Sequence, residues 1–215
     1  MKKAKWEQLM IVDHPLTKHK LTIMRDTQTG PKEFRELLYE MTLLIAYEAT
    51  YQLKTHEVSI ETPICRMTGE KIEDKDVTIV PILRAGLGMF EGVLTLLPNA
   101  SVGYVGLYRD HDTHLPIEYY CKIPTVQEKD VFILDPMLAT GHSASKAVDV
   151  IKQSGATGER IFFLSIISAP EGIEELVANH PDIKIFTASL DERLNERDYI
   201  VPGLGDAGDR LYKTP

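Results

Sequence analysis

Short apolar runs alternate along the chain with longer stretches whose apolar residues recur every three or four positions. The runs are typical of strands buried on both faces of a sheet. They span residues 77–83, 101–108, 131–134, 161–167 and 183–188, and a return strand is predicted at 117–123. Helical spacing is clearest from Pro31 to Leu53, where the apolar stripe includes Phe34, Leu38, Met41 and Ile45. This alternation predicts an α/β fold with a mostly parallel, doubly wound sheet in one domain over residues 1–215.

Two segments depart from this alternation. Residues 10–30 show no clean period and are predicted to form an extended lead-in. Residues 54–76 are predicted to form a β-hairpin arm, because Val58–Glu61 alternates and the Thr68-Gly69-Glu70 segment has the composition of a turn. The arm would be either a surface hairpin or a contact to a partner subunit.

The segment from Val131 to Ser143 has the pattern of a strand, an acidic residue, a loop of small residues and a helix start. Ligands bind at the carboxyl ends of strands in open α/β sheets, and the free N–H groups of a helix start favour a phosphate. No lysine follows Gly141, which excludes a Walker loop. A carboxylate beside a phosphate loop can accept hydrogen bonds from the hydroxyl groups of a sugar. The segment therefore predicts a ribose 5-phosphate site, with the phosphate in the loop and the ribose diol on Asp135.

Arg84 and Arg109 each follow directly after another predicted strand, which places both at the same ligand-binding edge. Gly86, Gly88 and Gly92 form a GxGxxxG spacing near Arg84, which departs from the GxGxxG of dinucleotide sites. A dinucleotide-dependent oxidoreductase would also need Asp110 as the partner of the ribose.

His111 and His114 form an HxxH spacing after Arg109. No predicted helix holds the register of these two residues, so a metal site is not favoured there. A mobile loop over residues 110–118, beside the active site, is the prediction instead.

The formal net charge of −8, from 24 basic and 32 acidic residues, argues against general nucleic-acid binding. An acidic protein that binds a polyphosphate needs well-placed arginines or a divalent cation.

No apolar run reaches the ~20 residues of a membrane span, and the segment Met1–Glu7 lacks the apolar core of a signal peptide. Cys65 and Cys121 are far apart and form no CxxC, so we expect reduced thiols in a cytoplasmic protein.

The segment Tyr199–Arg210 contains three glycines, one proline and two aspartates. This composition predicts a shaped backbone loop, without helix or strand, of the kind that binds a flat ligand through main-chain groups. Ile200 and Leu204 weigh against a disordered tail.

Three motifs together resemble the uracil phosphoribosyltransferase family, and the resemblance runs from His14 to the C-terminus. They are Pro81–Gly88 with Arg84, the Asp135–Ser143 loop and the Tyr199–Arg210 segment. The resemblance implies a phosphoribosyltransferase-type domain with an arm at 54–76 and a uracil-binding hood at 190–215. His142 stands where the family commonly has the second glycine of Thr-Gly-Gly-Ser, and it would be strained if that position needs a positive φ.

The resemblance implies a pentosyltransferase of pyrimidine salvage, which transfers the 5-phosphoribosyl group of 5-phospho-α-D-ribose 1-diphosphate (PRPP) to uracil. Mg²⁺ would be bound through the diphosphate, without a protein metal site. Asp206, Arg109 and Asp135 are the implied catalytic residues. The implied PRPP-binding residues are Arg84, Arg109, Asp135, Pro136, Met137, Leu138, Ala139, Thr140, Gly141, His142, Ser143 and Asp206. The implied uracil-binding residues are Ile200, Gly205, Asp206 and Ala207.

The family further implies a homodimer or a larger homo-oligomer, with GTP as a candidate effector and with no nucleic-acid or membrane partner. Two alternatives stay open. One is a regulator of the same fold that binds ligand without catalysis, such as an RNA-binding attenuator, although the charge of −8 weighs against it. The other is the dinucleotide-dependent oxidoreductase.

Overall fold

A central sheet with helices on both faces forms the body of the protein in the computed structural model. The structure describes residues 2–3, 5–109 and 116–214, and for residues 2, 3, 74, 109 and 116 it describes the backbone alone. The strands are β1 (Lys2–Lys3), β2 (Leu9–Ile11), β3 (Thr55–Glu61), β4 (Arg66–Ile72), β5 (Val77–Leu83), β6 (Ser101–Val102), β7 (Tyr104–Arg109), β8 (Pro116–Lys122), β9 (Asp130–Leu134), β10 (Met137–Leu138), β11 (Ile161–Ser168), β12 (Lys184–Leu190), β13 (Arg193–Leu194) and β14 (Ile200–Val201).

The helices cover the two faces of this sheet. They are α1 (Pro15–Arg25), α2 (Pro31–Thr50), α3 (Leu87–Leu96), α4 (His142–Gln153), α5 (Pro170–Asn179) and α6 (Ala207–Tyr212), with short 3₁₀ turns at Asp74–Asp76 and Gly158–Arg160. Within the described residues, none of these helices combines the length and the apolar character needed to cross a membrane.

The sheet order is β1-β2-β12-β11-β9-β5-β7-β8, with β6 beside β5 and β10 beside β11. The pairs from β2 to β7 are parallel, whereas β1 pairs with β2 and β8 with β7 in the antiparallel sense. The prediction of a mostly parallel α/β sheet is therefore confirmed, and β8 is the predicted return strand.

Neighbouring residues of the central strands enter different apolar layers. Ile79 of β5 and Phe132 of β9 pack with α2 and α3, whereas Val80 and Ile133 pack with α4 and α5. Successive side chains of a strand point to opposite faces of the sheet. Burial of both faces explains why these strands were visible in the sequence as continuous apolar runs.

The prediction of an extended lead-in over residues 10–30 is wrong, because α1 occupies Pro15–Arg25. His14 caps this helix: its Nδ1 accepts the N–H of Leu16 at 3.1 Å, and Thr17 Oγ1 accepts the N–H of His14 at 3.2 Å. A histidine cap is an unusual start signal, and only Thr17, Leu21 and Met24 of the helix are buried. The apolar stripe of α1 is therefore narrow, and the sequence shows only a weak helical periodicity there.

The predicted arm at 54–76 is present as the antiparallel pair β3 and β4, which form a two-stranded sheet of their own. Its turn lies at Thr62–Cys65, where the N–H of Thr62 donates to Cys65 O at 2.9 Å. The turn expected at 68–70 is wrong, since Gly69 pairs with Val58 inside the ladder. Both faces of the arm are largely exposed.

The expectation that Tyr199–Arg210 holds neither strand nor helix is also wrong. Ile200–Val201 forms β14 and pairs with β13, and α6 begins at Ala207. Asp206 caps α6 by accepting the N–H of Asp209 at 2.9 Å. Of the three glycines in the segment, only Gly208 lies within the helix. Gly203 and Gly205 precede it and therefore do not destabilise it.

Candidate active site

A cavity of about 380 Å³ opens at the carboxyl ends of β5, β7 and β9. Four segments supply most of its lining: residues 82–85, residues 135–144 without His142, residues 197–199 and residues 205–208. Leu107 of β7 completes it. This is the edge where open α/β sheets bind ligands. The structure thus brings the three sequence motifs together around one cavity.

The loop before α4 has the geometry of a phosphate site. Gly141 is the N-cap of α4 with φ +85°, and it supplies no side-chain cap, which leaves the amides of the first turn facing outward for a ligand. A Cβ on Gly141 would lie 2.7 Å from Gly172 O. The loop is more regular than predicted, since Met137–Leu138 forms β10 and pairs with β11.

The first turn of α5 lies directly behind this loop. A Cβ on Gly172 would come within 2.4 Å of Ala139 O and 2.8 Å of Leu138 O. This close approach of two backbones is available only to glycine. Leu138 is itself buried, so its main chain faces the cavity while its side chain packs in the core.

His142 is not in the strained conformation that the family pattern raised as a concern. It is the first residue of α4, and the positive φ falls on Gly141 instead. His142 does not line the cavity. It lies beside Glu171, Glu174 and Glu175 of α5, in a depression on the other side of the loop.

Asp135 follows β9 at the cavity and is partly buried. Its Oδ1 accepts the N–H of Met137 at 3.4 Å, and its own N–H donates to Leu164 O at 3.2 Å. The main chain of Asp135 is therefore anchored to β11, and its carboxylate closes a local turn with Met137. Pro136, Ala139, Thr140 and Ser143 also line the cavity, as predicted for the ribose 5-phosphate site.

Arg84 is exposed on the turn that leads from β5 to α3, and it lines the cavity. The turn passes very close to the end of β9, because a Cβ on Gly86 would be 2.3 Å from Leu134 O. Tyr212 Oη donates to Arg84 O at 3.1 Å. Burial raises the pKa of the Tyr212 hydroxyl, with the charges of Arg84 and Arg35 opposing, so the donor stays protonated.

Arg109 is the last residue of β7, at the same edge of the sheet as Arg84. The side chain of Arg109 and the residues Asp110, His111 and His114 lie outside the part of the chain that the structure describes. The predictions on these residues are therefore left as predictions.

Among the predicted uracil-binding residues, Gly205, Asp206 and Ala207 line the cavity, whereas Ile200 does not. The side chain of Ile200 is buried in the core, and its neighbour Tyr199 contributes to the cavity wall. The structure thus places three of the four predicted uracil residues directly at the cavity.

Arg197 and Asp198 line the cavity and were absent from the sequence prediction. They belong to the turn between β13 and β14, where Asn195 Oδ1 accepts the N–H groups of Arg197 at 2.9 Å and Tyr199 at 3.0 Å. An asparagine that holds a polar turn before an apolar pair is a hairpin signal. That signal could have identified the turn from the sequence.

Two of the three GxGxxxG glycines, Gly88 and Gly92, serve helix packing, whereas Gly86 lies against the end of β9. A Cβ on Gly88 would be 2.5 Å from a Leu38 methyl group, and one on Gly92 would be 2.8 Å from Thr42 Cβ, both on α2. Small residues at these positions let α3 approach α2 closely. The dinucleotide alternative therefore loses the motif that suggested it.

A family model described as uracil phosphoribosyltransferase matches residues 11–214. The chain belongs to the uracil phosphoribosyltransferase family. A uracil phosphoribosyltransferase from Thermosipho africanus (strain TCF52B) is 59% identical over 208 residues, which cover 96% of this chain and 99% of that protein. One from Symbiobacterium thermophilum is 54% identical over 208 residues, with the same coverage. The family predicted from the three motifs is confirmed.

Among solved structures, the AQ2163 protein from Aquifex aeolicus superposes with a TM-score of 0.89 at 38% identity. The match covers 95% of this chain and 97% of that one. The fold of this chain therefore has a counterpart among solved structures over nearly its full length.

The acidic side chains at the cavity are compatible with a magnesium ion that is also bound by phosphate groups. Within the part of the chain that the structure describes, no group of three or more His, Cys, Asp or Glu side chains is arranged to hold a metal. Asp135 and Asp206 line the same cavity. Magnesium is commonly bound by one or two carboxylates together with substrate phosphates, and this donor set is of that kind.

Proposed function

We propose that the protein transfers the 5-phosphoribosyl group of PRPP to uracil, which yields UMP and diphosphate. The observation that carries this proposal is the meeting of the Arg84 turn, the Asp135–Ser143 loop and the start of α6 around one cavity. Family membership over residues 11–214 supports the same reaction.

The reaction breaks the bond between ribose C1 and the diphosphate, so positive charge builds on the sugar and negative charge on the leaving group. An effective site binds the leaving group more tightly in the transition state than in the intact substrate. In our proposal Arg84 and Arg109 supply positive charge at the diphosphate. Mg²⁺ held by the diphosphate, near Asp135 or Asp206, would neutralise further charge on the leaving group.

The remaining parts of the substrate have matching groups in the proposal. Asp135 accepts hydrogen bonds from the ribose hydroxyls, and the amides of residues 139–143 bind the 5-phosphate. Uracil lies against the main chain of Ile200 and of residues 205–207. An N–H group aimed at uracil O4 would reject cytosine, whose amino group leaves a buried donor unmatched at a cost of ~1–3 kcal/mol.

Asp206 is the proposed group nearest the reacting nitrogen of uracil. Its carboxylate already fixes the start of α6 through Asp209. The same side chain would accept the proton of the uracil nitrogen or hold a water of the metal.

We further propose a homodimer or larger homo-oligomer in the cytoplasm. The arm supports assembly, since Ile60, Ile64 and Met67 expose apolar surface that a second copy would cover. The free thiols of Cys65 and Cys121 support the reducing compartment. GTP is a candidate effector.

One assay tests the reaction. Diphosphate release is measured after PRPP is added with uracil, cytosine, hypoxanthine or orotate, each with and without GTP. We expect release with uracil alone. Binding of PRPP without release for any base would favour the non-catalytic regulator instead. Sedimentation at several protein concentrations tests the oligomer separately.

A further inference from the structure

We propose that Arg25 and Asp191 are positioning residues that hold the base-binding loop (residues 199–206) through the peptide groups of Gly203. Neither side chain lines the cavity. The inference rests on the proposed function, because it assigns the support of the same uracil site.

Asp191 follows β12 and is the acceptor at the centre of the contact. Its side chain is 2% exposed. Oδ1 accepts from Arg25 Nη2 at 2.6 Å and from Ser189 Oγ at 2.7 Å, while Oδ2 accepts from Arg25 Nη1 at 2.7 Å and from Gly203 N at 3.0 Å. Its own N–H donates to Ser168 O at 2.8 Å, which anchors it to the end of β11.

Arg25, the last residue of α1, binds the carbonyl group of the same residue, Gly203. Besides the bidentate pair with Asp191, its Nη1 donates to Gly203 O at 2.5 Å. Gly203 therefore has its N–H held by the carboxylate and its carbonyl held by the guanidinium. A single ion pair fixes both polar groups of one loop residue.

The position of Gly203 determines where the loop meets the cavity. Gly203 has φ +66°, and a Cβ there would be 2.1 Å from Ile200 O, so the chain turns tightly between these residues. Leu204 is then buried in the core, and Gly205 lines the cavity. A shift of the turn at Gly203 is therefore transmitted to Gly205 and Asp206 within three residues.

The charged Arg25–Asp191 pair fixes the orientation of the loop more than it adds to the free energy of unfolding. Burial alone would raise the pKa of Asp191, yet the hydrogen bonds from Arg25, Ser189 and Gly203 and the charge of Arg25 hold it below its usual value. Buried ion pairs are often no more stabilising than apolar residues of similar size. What the planar guanidinium adds is a fixed fork that binds a carboxylate and a carbonyl in one orientation.

The test compares Asp191→Asn and Arg25→Lys with the wild-type enzyme. Asn places a donor against Arg25 or Gly203, and Lys cannot bind both carboxylate oxygens and Gly203 O in one plane. We expect the KM for uracil to rise at least about tenfold in each variant, while the KM for PRPP changes less than about twofold. Hydrogen exchange of the peptide covering 199–206 should become faster in both.

Asp130→Asn is the matched control. It breaks the ion pair of Asp130 with Arg160 Nε, at 3.0 Å, at the beginning of β9 and thus at the opposite edge of the sheet. We expect this control to keep the wild-type KM for uracil. Melting temperatures test whether each variant is folded, and Arg25→Lys alone tests the proposal if Asp191→Asn does not fold.

The outcomes separate the two proposals. An unchanged KM for uracil with unchanged exchange at 199–206, or an equal rise of both KM values, overturns the positioning role. A wild-type protein that makes no UMP overturns the proposed function, and hydrogen exchange then still tests whether Arg25 and Asp191 hold the loop.

Discussion

The loop of residues 135–143, which we propose binds the phosphate (the phosphate loop), and the proposed base-binding loop line the same cavity but are held in place by different means. The phosphate loop continues directly from β9 into α4, and its backbone packs on neighbouring backbone of β11 and α5. The base-binding loop depends on side chains that are distant in sequence. Arg25 holds Gly203 across 178 positions.

Arg210 extends this second kind of support. Its guanidinium donates to the carbonyl oxygens of Met24 and Asp26 at the end of α1 and to Leu204 O at 2.9 Å, and lies 4.4 Å from the ring centroid of Phe34. The base-binding loop is thus attached to α1 at several points. A loop set by local backbone geometry thus has a recognisable sequence pattern, whereas a loop set by distant side chains does not.

The largest effect should follow from Gly141→Ala, which tests the backbone support of the phosphate loop. The change puts a Cβ at φ +85° and 2.7 Å from Gly172 O, so the loop must move. We expect kcat/KM for PRPP to fall about a hundredfold, the scale of a 1 Å misplacement in an active site. Gly30→Ala, with open space around its Cβ, is the control for steady-state kinetics.

Asp206→Asn should lower turnover by at least about tenfold, the low side of the range for an acid–base group. Asparagine is as good an N-cap as aspartate, so α6 should keep its start. Steady-state kcat with saturating uracil and PRPP is the measurement, and the melting temperature verifies folding. Near-normal turnover would remove the Asp206 charge from the mechanism.

A third prediction concerns the pH dependence of the packing between α4 and α5, next to the phosphate loop. His180 is 3% exposed, and its Nε2 lies 3.0 Å from Ser145 Oγ on α4. Burial lowers its pKa, as does Lys152, against the opposing charges of Asp149 and Asp182. As the pH falls, His180 is therefore protonated in the unfolded chain at a higher pH than in the folded protein.

The contribution of neutral His180 to the free energy of unfolding should be fully present above about pH 6.5. It should decrease as the pH falls below that value, by at most about 1.4 kcal/mol per pH unit. Urea unfolding of the wild type and of His180→Gln between pH 5 and pH 8 measures this. We expect a shallower dependence for the variant. Identical slopes would show that His180 carries no proton linkage.

The smallest effect is expected from His142→Gly, which restores the glycine common in the family. The side chain lies outside the cavity and the residue has no positive φ. The KM for PRPP should change less than about threefold, and glycine in the first turn should cost at most about 1 kcal/mol of stability. A larger rise in KM would mean that His142 contributes directly to phosphate binding.

Much of the fold and the Asp135–Ser143 part of the site followed from the sequence by itself. The apolar runs at 77–83, 131–134 and 161–167 predicted strands because burial on both faces leaves no polar alternation. The phosphate loop followed because its determinants, a strand end, Asp135, Gly141 and a helix start, are adjacent in the chain. The three motifs also sufficed to identify the family.

The tertiary structure alone decided the rest. The start of α1 depends on a histidine cap, the positive φ falls on Gly141 and not on His142, and Arg197 reaches the cavity through a turn set by Asn195. Above all, the base-binding loop depends on Arg25 and Asp191, which are 166 positions apart. Local hydrogen bonds depend on residues a few positions away and so leave a pattern in the sequence. Contacts between distant residues exist only once the layers have packed.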